Sequence, residues 1–153
     1  PDILRSFQKG ESAVIRNPNA IRPWQHVLEP LSGYLILAQK IYSDNLKYSE
    51  SWNFGPNDKD TRSVEWILDK MTSKWPNSSW ELEKESQPYE EDFLRLNILK
   101  AKEKLEWEPT WGLNLTLEKI LAWHRSWLNQ DDMQSLCYLE IKEFMRDMKN
   151  EKH

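Results

Sequence analysis

Four glycines, Gly10, Gly33, Gly55 and Gly112, are all that the chain has, and they stand far apart. A glycine-rich phosphate cradle needs several within one short turn, where the backbone curls tightly and approaches a pyrophosphate closely. Neither G-x-G-x-x-G nor a P-loop can be written from this sequence. Whatever the chain binds, it does not hold a nucleotide on a glycine-rich turn.

A chain of 153 residues is long enough for one domain with a substantial core. With 39% hydrophobic and 30% charged residues it matches neither a membrane protein nor a disordered tail. Lys plus Arg number 21 against 25 Asp plus Glu, a net charge of −4. That balance speaks against a broad nucleic-acid surface, which needs clustered positive charge. The single cysteine, Cys137, excludes an internal disulfide framework and a cysteine-based zinc site. The longest strongly apolar run, Tyr34 to Ala38, falls far short of the roughly 20 residues of a spanning helix. No basic segment precedes an apolar one as in a secretory signal, so a cytoplasmic setting is expected. The opening Pro1-Asp2-Ile3-Leu4 lacks an initiating Met and reads as the start of a fragment or processed product.

Hydrophobic spacing predicts mostly helix. Ile3, Leu4 and Phe7 suit a helix from Asp2 to Lys9 that Gly10 stops. A helix from His26 to about Ser43, with Pro30 in its first turn, carries apolar residues on more than one face and is expected to be buried on several sides. Thr61 is placed to cap a helix reaching about Trp75, and Asn97 one that ends before Pro109. Thr116 is expected to start a helix through Leu128, and Met133 a final one. Short extended stretches fall at Ala13 to Arg16, Trp52 to Phe54, Trp80 to Glu83 and Phe93 to Leu96, and Ser43 to Ser51 reads as loop. The fold class is therefore α+β, helix-rich with several short strands, too few for a sheet of their own.

Few constellations suit chemistry. The histidines are His26, His124 and His153, with no H-x-x-x-H and no acidic cluster at metal-site spacing. His124 lies in an amphipathic helix pattern, where packing explains it. The acidic stretch from Glu81 to Asp92 reads as a solvated loop. Tyr138 and Lys142 fit a Tyr-x-x-x-Lys spacing, which arises readily by chance and supports no catalytic assignment here. The most informative run is Val14 to Val27, which combines a strand, an Asn17-Pro18-Asn19 turn, Arg22 in extended backbone, Trp24 and a helix start. An Arg held there can grip a diphosphate through its planar fork, and the following helix N-terminus would add positive field. A surface Arg beside a core Trp is the competing explanation.

The same run, Ile15 to Tyr34 with Arg22-Pro23-Trp24-Gln25-His26-Val27 at its centre, resembles the C-terminal portion of the CDP-glucose 4,6-dehydratases. These enzymes belong to the extended short-chain dehydrogenase/reductase family. The likeness continues through Trp52-Asn53-Phe54-Gly55-Pro56, Phe93 to Asn97, Lys100-Ala101 and Leu105 to Pro109. It implies a sugar-nucleotide-binding unit over 1–132 and a C-terminal helix with a frayed tail over 133–153. It implies that Arg22 contacts the diphosphate of a CDP-sugar, that Trp24 and His26 shape the strand presenting it, and that Asn17 lies on the approach. Gln87 and Glu90 fall where the family usually carries His-Pro-His-Glu; Glu90 is retained, while Gln87 and Tyr89 replace the two His. The family oxidises the sugar at C4, eliminates water across C5 and C6 and returns hydride to C6, using NAD on an N-terminal Rossmann domain. By the resemblance, that domain is this chain's partner, NAD and the catalytic residues lie on it, and the parent assembles as a homo-oligomer in deoxysugar and O-antigen synthesis. The 153 residues alone would be inactive. A stand-alone module stacking glycans or peptides on Trp24, Trp52, Trp80 and Trp111 is the alternative.

Overall fold

The computed structural model describes residues 2–83 and 92–150. The chain is helix-rich, and among the described residues the short strands pair off into two separate two-stranded sheets. Helix α1 (Asp2–Lys9) buries Phe7 and ends where Gly10 takes a φ of 71°, a left-handed stop that costs a glycine little. Strand β1 (Ala13–Ile15) follows, then β2 (Ile21–Arg22), α2 (Leu28–Ser43) and the single turn α3 (Asn45–Tyr48). Next come β3 (Arg62–Ser63), α4 (Val64–Thr72) and β4 (Trp80–Leu82). Helices α5 (Leu99–Leu105), α6 (Leu113–Leu128) and α7 (Met133–Asn150) complete the described chain. β1 runs parallel to β4 with Ala13 opposite Trp80, and β2 runs antiparallel to β3 with Ile21 opposite Ser63.

Two hydrophobic clusters hold these elements. In the first, Phe7, Ala13, Ile67, Met71, Leu113, Leu117 and Leu121 join α1, β1, α4 and α6. In the second, Tyr48, Phe54, Ile98, Ala101, Leu105 and Trp107 pack beneath Ile36, Leu37 and Ile41 of α2. Gly33 lets α2 lie directly on the Phe54 ring, which stands edge-on to Trp107 at 5.0 Å. Glu29, in the first turn of α2 and fully buried, ties that helix to the loop before α6. Its carboxylate accepts the amides of Thr110 at 2.9 Å and Trp111 at 2.7 Å. A buried carboxylate is tolerated because such charge-assisted bonds replace its hydration.

Helix α7 is laid over this frame by specific contacts. Phe144 meets Trp111 edge-on at 5.0 Å, the Trp111 indole donates to Asp147 Oδ2 at 3.0 Å, and Lys119 pairs with Glu143. Trp123 Nε1 donates to Cys137 Sγ at 3.3 Å. Asp132 starts the helix by accepting the amides of Gln134 and Ser135.

Several local expectations change. Trp52 to Phe54 is not a strand; side chains hold it, with Trp52 Nε1 donating to the Tyr48 carbonyl and Gln25 Nε2 to the Phe54 carbonyl. The stretch after Ser43 contains α3, capped by the Asp44 side chain. Ser63, not Thr61, caps α4, because Ser63 Oγ reaches the Trp66 amide. Helix α6 starts before Thr116, since Asp60 Oδ1 accepts the Leu113 amide at 3.0 Å and supplies the cap from outside the helix. Asn97 does accept the Leu99 amide, at 3.0 Å. Helix α2 is buried on one side only. Val27, Leu31, Tyr34, Leu35 and Tyr42 line an exposed apolar stripe along it, with Leu35 at 69% and Tyr42 at 95% exposure.

Candidate functional site

The site is built around β2, which is clasped on both edges. On one side β3 pairs with it; on the other, Ile21 donates to the Asp92 carbonyl at 2.7 Å and accepts from Leu94 at 3.1 Å. The Asn17-Pro18-Asn19 turn leading into β2 also receives the start of α4. Val64 donates to the Ala20 carbonyl and Glu65 to the Pro18 carbonyl, at 3.0 and 2.8 Å. Two residues of strand are thereby fixed by a helix end and by two flanking segments. Short pairing of this kind would not survive without such support.

Arg22 closes this strand, half-buried, with Nη1 donating to the Ile21 carbonyl at 3.1 Å. Asn17 lies in the turn before β2, where its Nδ2 donates to Asp92 Oδ1 at 2.6 Å. Trp24 packs against the first cluster, and its indole donates to the Arg62 carbonyl on β3 at 2.9 Å. Arg22 is thus the one of the three that lies on the strand, while Asn17 and Trp24 flank it and bond to segments on its two sides. Gln87 and Glu90 lie outside the described residues.

His26 points elsewhere. It is buried against the Trp111 ring at a centroid distance of 5.0 Å, and its Nε2 lies 3.9 Å from Glu140 Oε1 of α7. Burial, with Lys119 nearby, lowers its pKa from 6.5 to about 4, so it is neutral at pH 7. Burial likewise raises the carboxyl of Glu140. Neutral His26 accepts the Leu28 amide on Nδ1 at 3.3 Å, and its carbonyl accepts the Glu29 amide at 3.0 Å. With Pro30 lacking an N–H and Leu31 donating to Val27, the first amides of α2 are already taken. The expected contribution of these amides to an anion site is therefore not available: His26 spends them on helix capping.

A groove of about 780 Å³ opens between α1, α6 and α7, walled by His26, His124, Trp123, Trp127, Cys137 and Glu140 among others. It is mainly apolar and does not reach β2. Its wall includes Val27, at the head of the exposed stripe on α2. Tyr138 and Lys142 lie on α7 with the ammonium 4.4 Å over the ring, a surface cation–π contact. No cluster of metal-ligating side chains occurs among the described residues, nor any helix able to cross a membrane.

The four glycines each have a packing or capping role. Gly10 ends a helix, Gly33 packs on Phe54, Gly55 packs on Leu96 and Gly112 precedes α6, so none shapes a phosphate turn. Sequence reasoning passed over one neighbour of Arg22: Arg62, directly opposite it on β3. Only the register of β2 against β3 reveals it, since 40 positions separate the two in the chain.

No family model matches the chain. It is 49% identical over 146 residues to a protein from Salmonella typhimurium named CDP-glucose 4,6-dehydratase. The match takes in 95% of this chain and 41% of that protein. The chain is thus similar, along nearly its whole length, to a portion of a much longer relative.

Proposed function

We propose that this chain is the C-terminal, substrate-holding portion of a CDP-glucose 4,6-dehydratase, a lyase of the extended short-chain dehydrogenase/reductase type. The observation carrying this is the 49% identity that runs through 95% of the chain, including the β2 region. The fold supports it in two ways. First, Arg22 is mounted on a strand braced from both edges, as a residue that must meet a diphosphate in fixed geometry should be. Asn17 ties the turn before β2 to Asp92, and Trp24 locks β2 to β3. Secondly, the apolar stripe on α2 is the face such a portion would lay against the rest of the enzyme.

In this reading Arg22 binds the diphosphate of the CDP-sugar, while His26 acts at a distance by capping α2 and seating α7. NAD belongs to the part of the parent outside these residues, together with the groups that move hydride and protons. The 153 residues contribute substrate affinity and orientation but no turnover of their own. A stand-alone aromatic binding module has less support, because Trp111 is buried and the indole N–H groups of Trp24, Trp52 and Trp80 are all committed internally.

The test is a chimera in which this chain replaces the matching segment of the Salmonella protein, assayed for dehydration of CDP-glucose. Retained turnover is expected. Arg22→Ala in the chimera should raise KM roughly 10- to 100-fold, the range for losing a charge-assisted hydrogen bond, with kcat changed much less. A folded chimera that binds no CDP-glucose, or an Arg22→Ala variant of unchanged KM, defeats the assignment.

A further inference from the structure

We propose that the groove between α1, α6 and α7 is a binding site for a hydroxyl-bearing aromatic molecule, a phenol or an aryl alcohol, held through His26 and Glu140. The proposal rests on α7 and its neighbours and not on the reading of Arg22. At about 780 Å³ the groove falls in the roughly 300–1,000 Å³ range of small-molecule sites, which are mostly apolar with a few placed polar groups. The polar groups here have unmet capacity. His26 is 5% exposed and accepts the Leu28 amide on Nδ1, so in the neutral ring Nε2 carries the hydrogen. Glu140 Oε1 stands 3.9 Å from Nε2, too far for a hydrogen bond. The Glu140 side chain is itself only 16% exposed. Among the described residues no hydrogen bond reaches its carboxylate or leaves His26 Nε2.

A donor and an acceptor so placed select what can lie between them. A hydroxyl accepts with its oxygen and donates with its proton, so one group serves both. An oxygen about 2.8 Å from each atom sees them roughly 90° apart, near the spread of a hydroxyl's proton and lone pairs. It takes the place that a bridging water would otherwise hold. An ammonium suits Glu140 but has no lone pair for the His26 N–H, and Glu140 repels a carboxylate. The nearby cations offer an anion little, since Lys119 is paired with Glu143 and Arg5 with Asp2. The rest of the wall calls for a ring. Trp123 and Trp127 stand beside Val27, Ile120 and Ile141. The Trp123 indole N–H is committed to Cys137 Sγ, which leaves its ring system to stack.

The test is calorimetric titration of the full-length protein carrying this sequence with naphthol, its methyl ether, naphthoate and naphthylmethylammonium. Naphthol should bind most tightly. Glu140→Ala should weaken it roughly 10- to 100-fold, the range for a hydrogen bond to a charged group, and leave the methyl ether nearly unchanged. Trp127→Ala should weaken naphthol and its ether alike. Circular dichroism checks that both variants fold. Without any variant, naphthol should also slow alkylation of Cys137, which lines the same groove. Equal affinity for naphthol and its ether, or naphthol binding untouched by Glu140→Ala, defeats the hydroxyl bridge. Tighter binding of the ammonium makes this a cation site and overturns the proposal. If no probe binds, or naphthol leaves the alkylation rate unchanged, the groove is not a ligand site in the intact protein and the proposal falls.

Discussion

Gly33→Ala should destabilise this fold, although the same change in an exposed helix normally stabilises it. Alanine gains roughly 0.5–1 kcal/mol over glycine in a helix interior. Here an added Cβ would stand 2.3 Å from Phe54 Cδ1 and 2.5 Å from Cε1. Carbon atoms attract only at about 3.5–4.0 Å, so either the ring or the helix has to move. The ring has nowhere to go, being 7% exposed and held edge-on by Trp107 at 5.0 Å and Tyr34 at 5.5 Å. Overpacking of this kind costs about 1–3 kcal/mol, and subtracting the helix gain leaves a net loss of roughly 0.5–2 kcal/mol. In urea, with a slope on the order of 2 kcal/mol/M, the unfolding midpoint should fall by about 0.3–1 M. Adding Phe54→Leu to Gly33→Ala should cost less than the sum of the two single changes. A Gly33→Ala midpoint equal to or above that of the unmodified chain refutes the packing argument.

Glu29→Ala should be among the most damaging single changes, because it strands the amides of Thr110 and Trp111 at about 1–3 kcal/mol each; the same urea titration checks it, and a loss below 1 kcal/mol would show that water replaces the carboxylate. Stability should also fall on acidification through His26. With a folded-state pKa of about 4 against an ordinary 6.5, the unfolded chain binds the proton more readily between those values. Its contribution is therefore complete above the ordinary value and is lost as the pH falls toward the folded one, by about 3 kcal/mol at most. Glu140, raised by burial, works in the opposite direction and trims the slope at its lower end. Thermal midpoints from pH 7 to pH 4.5 should show this fall, flattened in His26→Gln; an identical slope in the variant removes His26 as the cause.

Helices whose signals are local were readable from sequence. α1 needed only Ile3, Leu4 and Phe7 at helical spacing with Gly10 behind them, and α7 needed only its long apolar repeat. Caps supplied from a distance were not readable. Nothing near Leu113 announces that Asp60 will accept its amide, so Thr116 was the nearest plausible start. Trp52 to Phe54 has strand-forming residues, but packing of Phe54 into the second cluster and side-chain bonds from Trp52 and Gln25 decide its conformation. The site shows the same division. Arg22, Asn17 and Trp24 stand close in sequence and stay close in space around β2. His26 stands equally close, yet one further turn of backbone carries it under α7, beside Glu140 and Trp111. The partnership of Arg22 with Arg62 depends on strand register and becomes visible only in three dimensions. The stripe on α2 looked like interior in sequence and is bare here, because the two hydrophobic clusters take up only the opposite face of the helix.

The parallel ladder of β1 and β4 carries a consequence for the order in which the chain assembles. It opens with Ser12 against Ser79, 67 positions apart, and extends for three residue pairs. Bringing such distant segments together costs roughly 4 kcal/mol of chain entropy, more than so short a ladder returns by itself. The pairing must therefore wait until Phe7, Ile67 and Met71 have joined α1 to α4 and shortened the effective loop. A contact made that late contributes little to the folding transition state and acts mainly as a brake on unfolding. The amides of Ala13 and Glu83, which bond across this ladder, should accordingly exchange with solvent through local opening, well before the helices around the first cluster let go.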